Sequence, residues 1–153
     1  VPLVVPFAWA MIAHPILCAA RRVAGNWVFL YGGFGLMAYD LFLDPQMVTA
    51  GRWKWEVTGS HVPFTPEVPL SNAFGWLLSG MALIAILHLA LPRDRRKVSA
   101  SFITIDIFLI WTWFAGVVSN LFFFDRPGIA FIFGLTFGAI LAPYIFSRWL
   151  GRP

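Results

Sequence analysis

The sequence predicts an all-α protein, a polytopic bundle of helices integrated in a membrane. Hydrophobic residues make up 59% of the 153-residue chain and charged residues only 12%, whereas a soluble domain carries about 25% charged residues. Its mean hydropathy is +0.77. The apolar residues form five long segments, each about the length that crosses a bilayer. We therefore expect one transmembrane domain over residues 1–153, with about five transmembrane helices.

Charged or proline-rich stretches separate these segments. The predicted helices cover residues 1–20, 27–43, 72–91, 98–124 and 128–146. The interval after the second helix differs from the others because it is long, polar and rich in proline. Proline lacks a backbone N–H and interrupts helices. Residues 45–70 are therefore expected to form a loop at one membrane surface.

The distribution of basic residues predicts the orientation of the bundle. If the segments alternate in direction, eight basic residues fall on one side and three on the other. The larger group is Arg21, Arg22, Arg93, Arg95, Arg96, Lys97, Arg148 and Arg152, and the smaller is Arg52, Lys54 and Arg126. Basic residues are in excess on the cytoplasmic side of membrane proteins. We expect the 45–70 loop outside and the C-terminal end inside, in the cell membrane.

Two carboxyl groups at the end of the second predicted helix are the leading functional candidates. Asp40 and Asp44 are four residues apart, which places them on one helix face, roughly 6 Å apart along the axis. A carboxylate is costly in hydrocarbon, so an acid in a membrane segment indicates a functional site. The structural alternative for Asp40 is a buried carboxyl group bonded to another helix or paired with Arg52 or Lys54.

Asp44 has a different structural alternative. It precedes Pro45, and the residue before a proline is disfavoured in the helical conformation. The second helix is therefore expected to end near Leu43. Asp44 would then cap a short helix over residues 45–50, which Gly51 would end.

Tryptophan and asparagine side chains are expected near the two acids. Trp53, Trp55 and Trp76 are typical of a membrane interface in any protein. In this position their rings can also line a pocket for an apolar chain and stabilise a transient cation. Asn72 and Asn120 are expected at the same level as the acids, and Asn72 has the alternative role of capping the third helix.

No metal or cofactor is expected. The sequence has no metal-ligand spacing of His, Cys or carboxylate residues and no nucleotide-binding glycine motif. Asp106, in the fourth segment, is interpreted as a hydrogen-bond partner between helices. The net charge of +4 is attributed to basic residues at a membrane face rather than to nucleic-acid binding.

Motifs between residues 32 and 76 form a recognisable pattern. They are Gly32-Gly33, Tyr39-Asp40-Leu41-Phe42-Leu43-Asp44-Pro45-Gln46-Met47, Gly51, Trp53-x-Trp55 and Pro69-x-Ser71-Asn72-x-x-Gly75-Trp76, preceded by Val5-Pro6-Phe7-Ala8-Trp9. The pattern resembles the polytopic membrane carotenoid hydratases of the carotenoid biosynthesis protein family, and the likeness covers most of the chain. Family members are longer at the N-terminus, so two or three further helices are expected before this sequence.

The resemblance implies addition of water across the terminal 1,2 double bond of an acyclic carotenoid end, which gives a tertiary alcohol. This reaction requires a proton donor, a shielded tertiary cation and a positioned water. We assign Asp40 as the acid and Asp44 as the carboxylate that orients the water. The candidate substrate-binding residues are Tyr39, Trp53, Trp55, Asn72, Trp76 and Asn120.

The expected partners are the carotenoid substrate, membrane lipid and other enzymes of carotenoid biosynthesis. The alternative function is a non-catalytic membrane protein that binds a carotenoid or lipid, or that scaffolds neighbouring enzymes. In that case the two acids would point at Arg52 and Lys54 instead of lining an apolar cavity. A transporter is less favoured because more polar residues would be expected across its helices.

Overall fold

The computed structural model describes residues 5–92 and 101–151 and shows a bundle of five long helices there. They are α1 (Val5–Val23), α2 (Val28–Thr49), α3 (Leu70–Ala90), α4 (Ile103–Phe122) and α5 (Pro127–Ile145). A 3-10 turn, Gly25–Trp27, joins α1 to α2, and a π-helical turn, Phe146–Leu150, extends α5. α3, α4 and the extended α5 are each long and apolar enough to cross a membrane. The predicted all-α membrane bundle is therefore confirmed.

Some predicted features lie outside the described residues. They are the first residues of helix 1–20, the basic stretch 93–97, the start of helix 98–124, and Arg152.

The predicted end of the second helix is wrong. α2 does not stop near Leu43 but continues through Pro45 to Thr49. A proline inside a helix removes only its own N–H bond and clashes with the preceding turn, and the surrounding helix here tolerates both effects. Asp44 is consequently an interior residue of α2 and does not cap a short helix, and the loop begins at Ala50 instead of residue 45.

A glycine ends α2. Gly51 adopts a φ of +67°, a left-handed conformation that glycine reaches without steric cost. Its N–H donates to the carbonyl oxygen of Val48 at 3.0 Å, and the N–H of Arg52 donates to that of Met47 at 2.9 Å. These two bonds form a Schellman motif, which satisfies the last carbonyl groups of a helix.

α2 and α3 cross with their backbones in close contact. A Cβ atom on Gly33 would lie 2.4 Å from Met81 Cγ and 2.8 Å from its backbone nitrogen, and one on Gly80 would lie 3.2 Å from Gly33 Cα. Small residues permit this approach between membrane helices. The crossing places Asn72, in the first turn of α3, against the last turns of α2.

The main core lies among α1, α2, α4 and α5, with Ile84 contributed by α3. Its largest fully buried side chains include Ile12, Ile16, Leu36, Ile84, Leu109, Phe133, Phe137 and Tyr144. Many other large apolar side chains on the helices are exposed, for example Leu78 and Phe131. An apolar outer surface is what a helix in contact with lipid requires.

The loop between α2 and α3, residues 50–69, is called the strap here. Its second half is a short antiparallel hairpin of β1 (His61–Val62) and β2 (Thr65–Pro69). An ion pair between Glu67 and Arg126 ties β2 to the turn before α5, and Arg126 also donates to Thr49 at 3.0 Å. The strap is therefore fixed to the body of the bundle at its hairpin end.

Candidate active site

The acid pair on α2 is almost completely buried. Asp40 is 2% exposed and Asp44 1% exposed. The continuous helix through Pro45 keeps them one turn apart on the same face. Because α2 does not end at Leu43, both carboxyl groups lie on one continuous helix and can share a site.

One amide bridges the two acids. The Asn72 Nδ2 atom donates to Asp40 Oδ2 at 2.9 Å and to Asp44 Oδ2 at 2.8 Å. Asn72 does not cap α3, because the N-cap position is Pro69 and no side chain there bonds the helix backbone. The side chain of Asn72 therefore serves the acid pair.

The strap supplies two further donors to Asp44. The indole N–H of Trp53 and that of Trp55 both donate to Asp44 Oδ1, at 2.5 and 3.1 Å. Asp44 therefore accepts three N–H bonds, which suits the negative charge of a carboxylate. Asp40 accepts one, and its Oδ1 atom has no hydrogen-bond partner among the described residues. The two chemically identical side chains thus lie in different environments.

An aromatic cavity adjoins the acids. Its volume is about 420 Å³, within the range of small-molecule sites. The lining residues are Trp9, Asp40, Asp44, Trp53, Lys54, Trp55, Asn72 and Trp76. Four indole rings and a pair of carboxyl groups are a suitable lining for an apolar molecule that must be protonated.

Neither acid is paired with a basic residue of the strap. Within the described ranges, no ion pair joins Asp40 or Asp44 to Arg52 or Lys54. Lys54 does line the cavity, but its side chain is exposed. The described residues therefore do not show the pairing of the acids with Arg52 and Lys54 that the non-catalytic alternative predicted.

The structure places two of the predicted binding residues away from this lining. Tyr39 is half-buried on α2, and its ring centroid lies 6.5 Å from that of Phe42. Asn120 is fully buried on α4, where its Nδ2 donates to the Gly116 carbonyl oxygen at 2.9 Å. Neither residue lines the 420 Å³ cavity.

Trp9 and Lys54 line the cavity but were not predicted as site residues. The sequence indicates Lys54 only as a possible counter-ion of the acids. Trp9 could have been noticed because it ends the motif Val5-Pro6-Phe7-Ala8-Trp9. No spacing rule relates Trp9 to acids more than 30 residues later in the sequence, so only the packing of α1 reveals it.

Asp106 is in a separate polar cluster. The Tyr144 hydroxyl donates to Asp106 Oδ1 at 2.6 Å, and Arg148 Nε lies 3.4 Å from Asp106 Oδ2. These contacts join the first turn of α4 to the end of α5, as expected of an acid that links helices. The described residues contain no group of three or more His, Cys, Asp or Glu side chains that could hold a metal ion.

Fold and site together define a membrane helical bundle with a buried acid pair beside an aromatic cavity. The family model described as carotenoid biosynthesis protein matches residues 1–141. The chain belongs to the carotenoid biosynthesis protein family, which confirms the predicted family and associates the protein with a carotenoid-related substrate. No curated protein and no solved structure shows a significant match to the chain.

Proposed function

We propose that this protein is a carotenoid hydratase that adds water to the terminal 1,2 double bond of an acyclic carotenoid end. The observation that carries the proposal is the bridged pair of buried acids at the wall of an aromatic cavity. Membership of a carotenoid biosynthesis family supports the class of substrate.

The first step is protonation of the alkene. Asp40, as a carboxylic acid, donates its proton to C2 of the end group, and the electrons of the double bond form the new C–H bond. C1, which carries two methyl groups, becomes a tertiary cation. Asp40 suits this role because it is buried and its Oδ1 atom has no hydrogen-bond donor among the described residues. A positioned acid commonly contributes a factor of 10²–10⁴ to the rate.

The second step is capture of the cation by water. Asp44 orients a water molecule and accepts its proton as the new C–O bond forms at C1, which yields the tertiary alcohol. Three N–H donors hold the Asp44 carboxylate in place. Transfer of the proton from Asp44 back to Asp40 restores the site, so one water is consumed and no redox cofactor takes part.

The proposal extends to the membrane arrangement. In the proposed arrangement, α1 and α2 cross the bilayer together with the three helices that have the required length and hydropathy. Residues 1–153 then form a single transmembrane domain. The protein is a multi-pass protein of the cell membrane. The strap and the acid pair then lie at the outer face. Membrane lipid and other enzymes of carotenoid biosynthesis would surround the bundle.

Expression of the full-length protein in cells that make an acyclic carotene tests the function. Mass analysis of the extracted pigments is expected to find a product heavier by one water per modified end. Cells that carry the empty vector provide the control. An unchanged pigment profile at normal abundance of the membrane-inserted protein would contradict the proposal and favour a protein that binds the carotenoid without converting it.

A further inference from the structure

We propose that Trp9, on α1, is part of this active site and forms with Trp76 the aromatic wall that stabilises the tertiary cation. The inference rests on the proposed hydration. It assigns a role to a residue that lies on a different helix from every other residue of the site and that the sequence motifs did not place near the acids.

The first observation is a stacked pair of indoles. The ring centroids of Trp9 and Trp76 are 4.1 Å apart and the ring planes differ by 17°. Both side chains are half-buried, both line the 420 Å³ cavity with the acid pair, and both pack against the main core. The stack joins α1 to α3 beside Asn72, so the wall is held by two helices instead of by a loop.

The second observation is the different orientation of the other two indoles. Trp53 and Trp55 direct their N–H edges to Asp44 Oδ1. The N–H edge is the positive part of the ring, so these two indoles serve the carboxylate. Neither Trp9 nor Trp76 has a hydrogen-bond partner in the part of the chain that the structure describes. Both residues therefore border the cavity as apolar rings that make no polar contact among the described residues.

A ring surface is what the cationic intermediate requires. The face of an aromatic ring is negative, and tryptophan is the strongest cation–π partner among the side chains. It also offers no lone pair that could attack C1. A tertiary cation packed on the Trp9–Trp76 wall would persist until water from the Asp44 side reaches it. Without the wall, less charge is stabilised and protonation of the alkene slows.

The test uses substitutions that distinguish the effect of the aromatic ring from the effect of side-chain size. Trp9→Leu removes the ring and Trp9→Phe keeps a smaller one, while Trp111→Leu is the matched control because Trp111 is a 64% exposed tryptophan of α4. We expect kcat for hydration to fall roughly tenfold or more in Trp9→Leu and less in Trp9→Phe. The Trp111→Leu variant should remain near the wild-type value. All variants are compared at equal amounts of folded protein.

Fluorinated tryptophans at position 9 give a second measurement, which does not depend on whether a variant with a smaller side chain folds. Successive fluorine atoms weaken the negative face of the ring with little change in size. We expect kcat to fall progressively with fluorination, while KM changes little.

Two results would overturn the inference. If wild-type enzyme hydrates the carotenoid and Trp9→Leu and the fluorinated forms match it, Trp9 is a packing residue and the proposed function still stands. If wild-type protein produces no hydrated pigment, the proposed function fails and the role of Trp9 fails with it.

Discussion

At the scale of single residues, the proposed chemistry depends on the difference between the surroundings of Asp40 and Asp44. Both carboxyl groups are buried and share the amide of Asn72. The two strap indoles add their N–H groups to Asp44 alone. Hydrogen bonds to a charged group contribute about 1.5–3 kcal/mol each, so the distribution of donors favours a negative charge on Asp44 over one on Asp40, as the proposed roles require.

The substitution Asp40→Asn tests this assignment. It keeps the shape and the hydrogen-bonding capacity of the side chain but removes the transferable proton. We expect loss of hydration by a factor of about 10² or more, with membrane insertion and abundance close to wild type. Pigment analysis at matched protein level measures the effect.

Asp125→Asn is a suitable control for that experiment. Asp125 is exposed in the turn before α5, and its φ of +51° is a conformation that asparagine tolerates. Its substitution should leave hydration unchanged. If Asp40→Asn behaves like Asp125→Asn, the alkene receives its proton from another group, and Asp44 becomes the first candidate.

At the scale of the elements, the crossing of α2 and α3 holds the site together. Gly33→Ala would place a Cβ atom 2.8 Å from a backbone nitrogen of α3, which a side-chain rotation cannot relieve. Overpacking of this kind costs about 1–3 kcal/mol. We expect lower thermal stability and weaker hydration, because the displaced helix carries Asn72.

Gly75→Ala is the matched comparison for the helix crossing. Gly75 lies on α3 as well, but a Cβ atom there would meet nothing within 4 Å. Alanine favours the helix by about 1 kcal/mol over glycine, so this variant should be as stable as wild type or more so. Equal midpoint temperatures of thermal unfolding for Gly33→Ala and Gly75→Ala would show that the crossing is not a tight contact.

The strap is expected to be an ordered lid over the acid pair. Its first half is bonded to the bundle through Trp53 and Trp55, and its hairpin half through Glu67 and Arg126. A double Trp53→Phe, Trp55→Phe variant keeps the apolar rings but removes both N–H donors. Hydrogen exchange over residues 52–60 should then become several-fold faster, while exchange in α3 is unchanged.

Trp27→Phe is the control substitution for the strap, because Trp27 is exposed and makes no hydrogen bond to an acid in the described ranges. Exchange over residues 51–69 that is already rapid throughout in wild type would contradict the lid.

At the scale of the whole molecule, the open prediction is orientation in the membrane. The eight-to-three distribution of basic residues predicts that the strap lies outside. In a variant with Cys18→Ala, which removes the single native cysteine, a membrane-impermeant thiol reagent should label a cysteine at Ser60, which is exposed in the strap. A cysteine at Ser99 should be protected in intact cells. The reverse pattern would invert the bundle and put the acid pair at the cytoplasmic face.

The amino-acid sequence alone determined the class of fold, because long apolar segments can satisfy their backbone groups in lipid only as helices. It also identified Asp40, Asp44, Asn72 and the strap tryptophans as candidates, since polar groups stand out against an apolar background. The family followed from the same stretch of motifs.

Only the tertiary structure decided how these residues meet. Local preference predicted a helix end before Pro45, but α2 continues to Thr49 and is ended by Gly51. The hydrogen bond that is lost at Pro45 costs less free energy than the packing of the whole helix contributes. The amide bridge from Asn72 depends on the Gly33–Gly80 crossing. Trp9 reaches the cavity from α1 because of contacts between helices that are distant in the sequence. Periodicity and propensity describe one segment at a time, so they carry no information about which faces of separate helices come together.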